Sequence, residues 1–121
     1  MGKYNFVIYQ VKVEIPYCFA QWELARKHGG WSFRPYRSVW SGIGEAPDEI
    51  DLLNHLWDVF NTNHPKGYRA RSMSVSDIVG IYDANNADDS MRYYYCDTFG
   101  WEEVTEYVCM EGEQHEALQE I

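Results

Sequence analysis

Residues 71–79, RSMSVSDIV, set three serine hydroxyls at alternate positions and follow them with an aspartate, and His64 lies a short way upstream. A hydrolase needs a nucleophilic Ser or Cys, a base within hydrogen-bond reach and a third group to orient that base. Ser74 or Ser76 with His64 would supply the first two, and Asp77 is at hand. However, the stretch lacks the G-x-S-x-G elbow that lifts a serine out of a strained turn. Ser and Asp side chains also bond neighbouring backbone N–H groups where a chain turns into a strand. That habit accounts for Ser74, Ser76 and Asp77 without catalysis, so no catalytic residue is assigned and the chain is read as a non-enzyme.

Other chemistries find less support. His28, His55, His64 and His115 show no i, i+3 or i, i+4 pairing and no H-E-x-x-H pattern, so no metal site is expected, and His115 beside Glu111 or Glu116 would bind a cation only weakly. Gly42-Ile43-Gly44 stands before a helix start already rich in acids, which would repel a phosphate, and it reads as a turn. No cofactor is expected. Lys66, Arg69 and Arg71 form the one basic cluster in the sequence. A phosphate, an acidic partner or the protein's own acidic end would each suit it.

The elements that would position these residues follow from hydrophobic period and punctuation. Residues 4–15 alternate and are rich in β-branched and aromatic side chains, which predicts a first strand closed by Pro16. Phe19, Trp22 and Ala25 at helical spacing, stopped by Gly29-Gly30, predict a helix over 16–28. A second strand is expected over 36–43, ended by the Gly42/Gly44 turn. Pro47 followed by Asp48, Glu49 and Asp51 starts a second helix with a stripe of Ile50, Leu53, Leu56 or Trp57, and Phe60, broken by Pro65. Residues 78–82 and 91–96 flank the turn-rich 83–90 as a hairpin, and 99–104 adds a short extended segment. The order predicts a single α+β domain with a mainly antiparallel sheet of about four strands and two helices packed on it.

The 121 residues carry a net charge of −9, and the charge is unevenly placed. From Asp97 onward come eight acids and no Lys or Arg, whereas the first 96 residues balance 11 acids against 10 bases. This acidic quarter would repel a phosphate backbone and suits a basic protein surface, so direct nucleic-acid binding is not expected. Three cysteines without CxxC spacing, a start that runs straight into a strand pattern and no apolar run near the roughly 20 residues of a membrane span predict a cytoplasmic protein with reduced thiols and no membrane partner. Trp31, Phe33, Tyr36 and Trp40 crowd one region, and Tyr93, Tyr94 and Tyr95 are consecutive, so that one strand face would turn tyrosine toward solvent or a partner.

FNTNHP at 60–65, SMSVSDIV at 72–79 and YYCDTFGWEEV at 94–104 together resemble the YodL-like domain. That domain occurs in Gram-positive bacteria, above all in large proteins of conjugative and phage-like elements. Its pattern runs F-N-x-x-H-P, S-L-S-V-S-D-[VI]-[VI], then Y-Y-x-D-x-x-G-F-x-E-[VI], with Met73 here in place of leucine and Trp101 in place of phenylalanine. The resemblance implies no catalytic residue or cofactor, but a mobile-element setting and a role in interaction. A division into a domain over 1–104 and an acidic extension over 105–121 follows. The expectation is a counter-defence inhibitor, of anti-CRISPR or anti-restriction kind, covering a basic surface of a host nuclease. Glu102, Glu103, Glu106, Glu111 and Glu113 would supply the charge, with Trp101, Tyr94 and Trp31 as anchors. The alternative is an adaptor that binds a host cytoskeletal or conjugation protein through aromatic contacts.

Overall fold

The computed structural model describes residues 1–111. β1 (Gly2–Gln10), α1 (Trp22–His28), β2 (Arg37–Ala46), α2 (Glu49–Thr62), β3 (Ile78–Asp83), β4 (Arg92–Asp97) and β5 (Gly100–Glu103) follow in order, and a third helix, α3, occupies 105–111. The strands make one antiparallel sheet in the order β2-β1-β3-β4-β5. The α+β class and single sheet are as the sequence predicts, with five strands in place of four and a third helix among the described residues.

Both faces of the sheet are covered. On one, Phe6, Ile8, Val79, Ile81 and Tyr94 pack against Leu52, Leu53, Leu56 and Phe60 of α2. On the other, Ile78 and Tyr95 meet Tyr17, Trp22, Ala25 and Tyr36, and Val108 of α3 closes the layer. Strand alternation sends Tyr94 into the first core and Tyr95 into the second. A fully buried aliphatic or aromatic side chain contributes about 1.5–3 kcal/mol, so the two layers share the burden of a small fold. The boundary expected after Val104 falls inside this arrangement, because Val108 is core. No helix among the described residues is long and apolar enough to cross a membrane.

α2 starts as its sequence requires: the Asp48 carboxylate accepts the Asp51 N–H at 2.9 Å, and Glu49 and Asp51 sit in the positive first turn. Its buried stripe uses Leu52 and Leu56, and leaves Ile50 and Trp57 exposed. Gly42 and Gly44 lie inside β2 and form no turn. A Cβ on Gly44 would stand 2.7 Å from Leu52 Cδ1, and one on Gly42 3.1 Å from the Phe6 ring, so glycine lets strand and helix approach. β1 ends at Gln10, five residues before the expected end, and α1 begins only at Trp22. Between them Phe19 takes a left-handed φ of 69° and successive turns carry the chain toward β4.

Candidate functional site

The serine-rich stretch folds as a buried polar knot between the two cores. Asp77 Oδ2 accepts Gln10 Nε2 at 3.0 Å and the Ser74 N–H at 2.9 Å, while Oδ1 accepts Arg71 Nη2 at 3.0 Å. Arg71 also donates to the Val11 carbonyl at 2.8 Å and lies over the Phe19 ring. Ser76, with φ 87°, accepts the Phe19 N–H on its Oγ at 2.9 Å, and its carbonyl accepts the Tyr36 hydroxyl at 2.5 Å. Its N–H reaches the Cys96 carbonyl, and Cys96 N–H returns to the Asp77 carbonyl. A left-handed serine costs of order 1 kcal/mol, offset here by four hydrogen bonds around one turn. Burial pushes the Asp77 carboxyl up to about 6, against the pull of Ser74, Gln10 and Arg71, so it is ionised at neutral pH. Burial likewise pushes the Cys96 thiol up to about 12, which leaves no thiolate there.

This knot does not pair Ser74 or Ser76 with His64. Ser76 is fully buried with its Oγ already an acceptor, and Ser74 Oγ donates to the Ser72 carbonyl at 3.1 Å. His64 Nε2 meets Ser72 Oγ at 3.2 Å, but the same nitrogen lies 2.7 Å from the Phe60 carbonyl. A contact that close to a carbonyl places the proton on Nε2, so this nitrogen donates and does not take a proton from Ser72. The basic cluster divides too: Arg71 pairs with Asp77, and neither Lys66 nor Arg69 forms an ion pair among the described residues.

The acidic and aromatic residues gather at the β4–β5 end, though not all remain on the surface. Asp97 opposes Gly100 across a tight turn, Gly100 has φ 89°, and Phe99 at the tip is 96% exposed. Asp97 Oδ1 fixes the turn by accepting the Thr98 N–H at 2.8 Å and the Trp22 N–H at 3.2 Å. Beside the tip a groove of about 270 Å³ runs between α2 and β5, lined by Asn54, Trp57, Val75, Thr98 and Trp101, with Trp101 Nε1 donating to Asn54 Oδ1 at 3.3 Å. Glu102 and Glu103 on β5 and Glu106 on the first turn of α3 are exposed at the same end of the sheet without lining the groove, and alternation turns Glu102 and Glu103 to opposite faces.

Glu111 serves another purpose. Its carboxylate accepts Ser32 Oγ at 2.6 Å and the Phe33 N–H at 2.8 Å, which fastens α3 to the loop before β2. Glu113 lies outside the described residues. Tyr94 is buried with its hydroxyl donating to Glu49, and burial first, then that carboxylate, raises its pKa. Trp31 is half-buried, edge-on to Trp22 at 5.0 Å and donating to the Tyr36 hydroxyl. Tyr94 is thus a packing residue, because the sheet is covered on that side, while Trp31 keeps part of its surface in a shallow pocket with Tyr107, Met110 and Glu111. Sequence reasoning missed Phe99 and Trp57 as surface aromatics. Phe99 sits in a D-T-F-G turn, and Trp57 stands off the Leu52/Leu53/Leu56/Phe60 stripe, and those two features are the signals that could have found them.

A two-faced α+β sheet with a polar knot at the start of its third strand and a tryptophan-lined groove at one edge defines the class. The chain belongs to the YodL-like domain family, which matches residues 5–107 and so runs from within β1 to the first turn of α3. No curated protein and no solved structure matches it.

Proposed function

We propose that this protein is a non-enzymatic protein-binding module whose recognition surface is the β4–β5 end. The observation that carries the reading is Phe99: a phenylalanine 96% exposed at a rigid turn, beside a tryptophan-lined groove and three exposed glutamates. Exposed aromatics flanked by charge are the composition of an interface centre with a steering rim. The partner is a basic protein surface of the kind that otherwise binds nucleic acid, and the specific form we propose is an inhibitor of a host defence nuclease, carried by a conjugative or phage-like element. Support for that setting comes from the YodL-like pattern, and support for the mechanism from the exposure of Glu102, Glu103 and Glu106 at the β4–β5 end.

The test is cleavage by restriction and RNA-guided nucleases of a Gram-positive host with the protein added. Inhibition that falls at least tenfold with Glu102→Gln, Glu103→Gln and Glu106→Gln combined supports the mechanism. Inhibition untouched by that variant would contradict it. Binding to a cytoskeletal or conjugation protein that is insensitive to salt and lost with Phe99→Ala would favour the adaptor reading instead, since apolar contacts are barely screened.

A further inference from the structure

The groove between α2 and β5 is built by two segments that carry no base. α2 holds Glu49, Asp51 and Asp58, residues 97–104 hold Asp97, Glu102 and Glu103, and neither contains a Lys or Arg. Part of that charge lies elsewhere. The Asp97 carboxylate turns to the α1 face of the sheet, where it accepts the Trp22 N–H, and Glu102 opposes Tyr95 on that same face. His55 turns toward β2.

Three acids stand close to the groove without lining it. Asn54 is a lining residue, and Asp51 and Asp58, three positions before it and four after, are its neighbours on the exposed surface of α2, about 5–6 Å away between Cβ atoms. On β5, Trp101 opposes Cys96, which lines the same groove, and Glu103 follows on that face roughly 7 Å further along. All three therefore lie within a Debye length of a lining residue, about 8 Å at physiological salt, and their field favours a cation there. The base on this face of β4, Arg92, is four residues before Cys96 and is held by Glu49 and Asp89.

The lining decides which cation. Trp57 is 37% exposed, and Trp101 is half-buried with its Nε1–H held by Asn54 Oδ1, an oxygen that has a second lone pair to offer. A leucine or phenylalanine entering here would take water from the Asn54 and Thr98 side chains and give no bond in return. An ammonium is compact and strongly hydrated, whereas a guanidinium is planar, weakly hydrated and stacks on indole. We propose that this groove takes an arginine side chain of the partner protein, the guanidinium lying over the Trp57 and Trp101 indoles and donating to Asn54 Oδ1. The inference rests on the reading of the partner as a basic protein surface and names the side chain which that surface inserts.

The experiment titrates the isotopically labelled protein with blocked five-residue peptides, Gly-Gly-X-Gly-Gly, in which X is arginine, lysine, citrulline, leucine or phenylalanine. The arginine peptide should move the Trp57 and Trp101 indole N–H signals and bind about threefold more tightly than the citrulline peptide, which keeps the shape and lacks the charge. Trp57→Leu, at an exposed position, should cost about threefold in arginine affinity, and Trp57→Tyr, which keeps a ring face, should restore most of it. Asp51→Asn with Asp58→Asn should cost about twofold. Citrulline, leucine or phenylalanine binding as well as arginine, or no movement of either indole with any peptide, would overturn the proposal. If the arginine peptide binds as described and no nuclease is inhibited, the occupant of the groove stands and the nuclease reading falls. If nuclease inhibition depends on Glu102, Glu103 and Glu106 while both indoles ignore arginine, that reading stands and this one falls.

Discussion

Asp77 is the residue on which the centre of the molecule depends. Its carboxyl joins β1 through Gln10, the 71–77 turn through Ser74, and the residue 11–19 segment through Arg71, which bonds Val11 and covers Phe19. Asp77→Ala would leave the Ser74 N–H without its acceptor and the Arg71 guanidinium without its carboxylate, and should destabilise by about 2–4 kcal/mol, read from a urea midpoint. The pH response is separable. Because burial raises the Asp77 value from 3.8 to about 6, stability from this group is whole below about pH 4 and is lost as pH rises through 6. The loss approaches about 3 kcal/mol for a shift of about two units. Asp77→Asn should lack that decline between pH 4 and 6 relative to the unaltered protein; parallel pH profiles for the two would contradict the assignment. The sequence placed this residue correctly as a turn former. Its burial was not legible, since nothing in RSMSVSDIV shows that Gln10 and Arg71 converge on it. Phe99 is the opposite case: with its side chain in solvent, Phe99→Ala should leave the thermal midpoint nearly unchanged, within about 0.5 kcal/mol, while binding is lost.

At the scale of elements, α2 was the most legible because cap, dipole charges and apolar period agree along one stretch. β3 and β4 were legible from alternation either side of a turn-rich loop. Arg92 adds a clamp there, bonding Glu49 at the start of α2 and Asp89 in that loop. β2 was misread at its end because a glycine pair serves equally for a turn and for close packing, and only the position of Leu52 separates the two. Gly44→Ala should therefore destabilise more than Gly42→Ala, by about 1–3 kcal/mol, since one added carbon meets Leu52 at 2.7 Å and the other an aromatic ring at 3.1 Å. Equal midpoints in thermal unfolding would mean that α2 shifts to admit the carbon. The late start of α1 was hidden because the Phe19 conformation is imposed from outside, by Ser76 Oγ.

Across the whole molecule, exposed apolar side chains are spread over several elements, at Val13, Leu24, Ile43 and Ile50 as well as at Phe99. The aromatic richness of the chain could not by itself tell core from interface: a sheet covered on both faces takes Tyr94, Tyr95 and Trp22 inside, and leaves Phe99 and Trp57 on the surface. The acid run was legible as a surface, yet Glu111 shows that a member of such a run can be a fastening. The central claim is that Glu102, Glu103 and Glu106 act together on a basic partner. It is tested most directly by titrating nuclease inhibition for the unaltered protein and for the triple Glu→Gln variant at two salt concentrations. The account predicts that the unaltered protein weakens as salt rises, while the variant starts at least tenfold weaker and is nearly salt-independent. Two titrations that superimpose at both salts would contradict it.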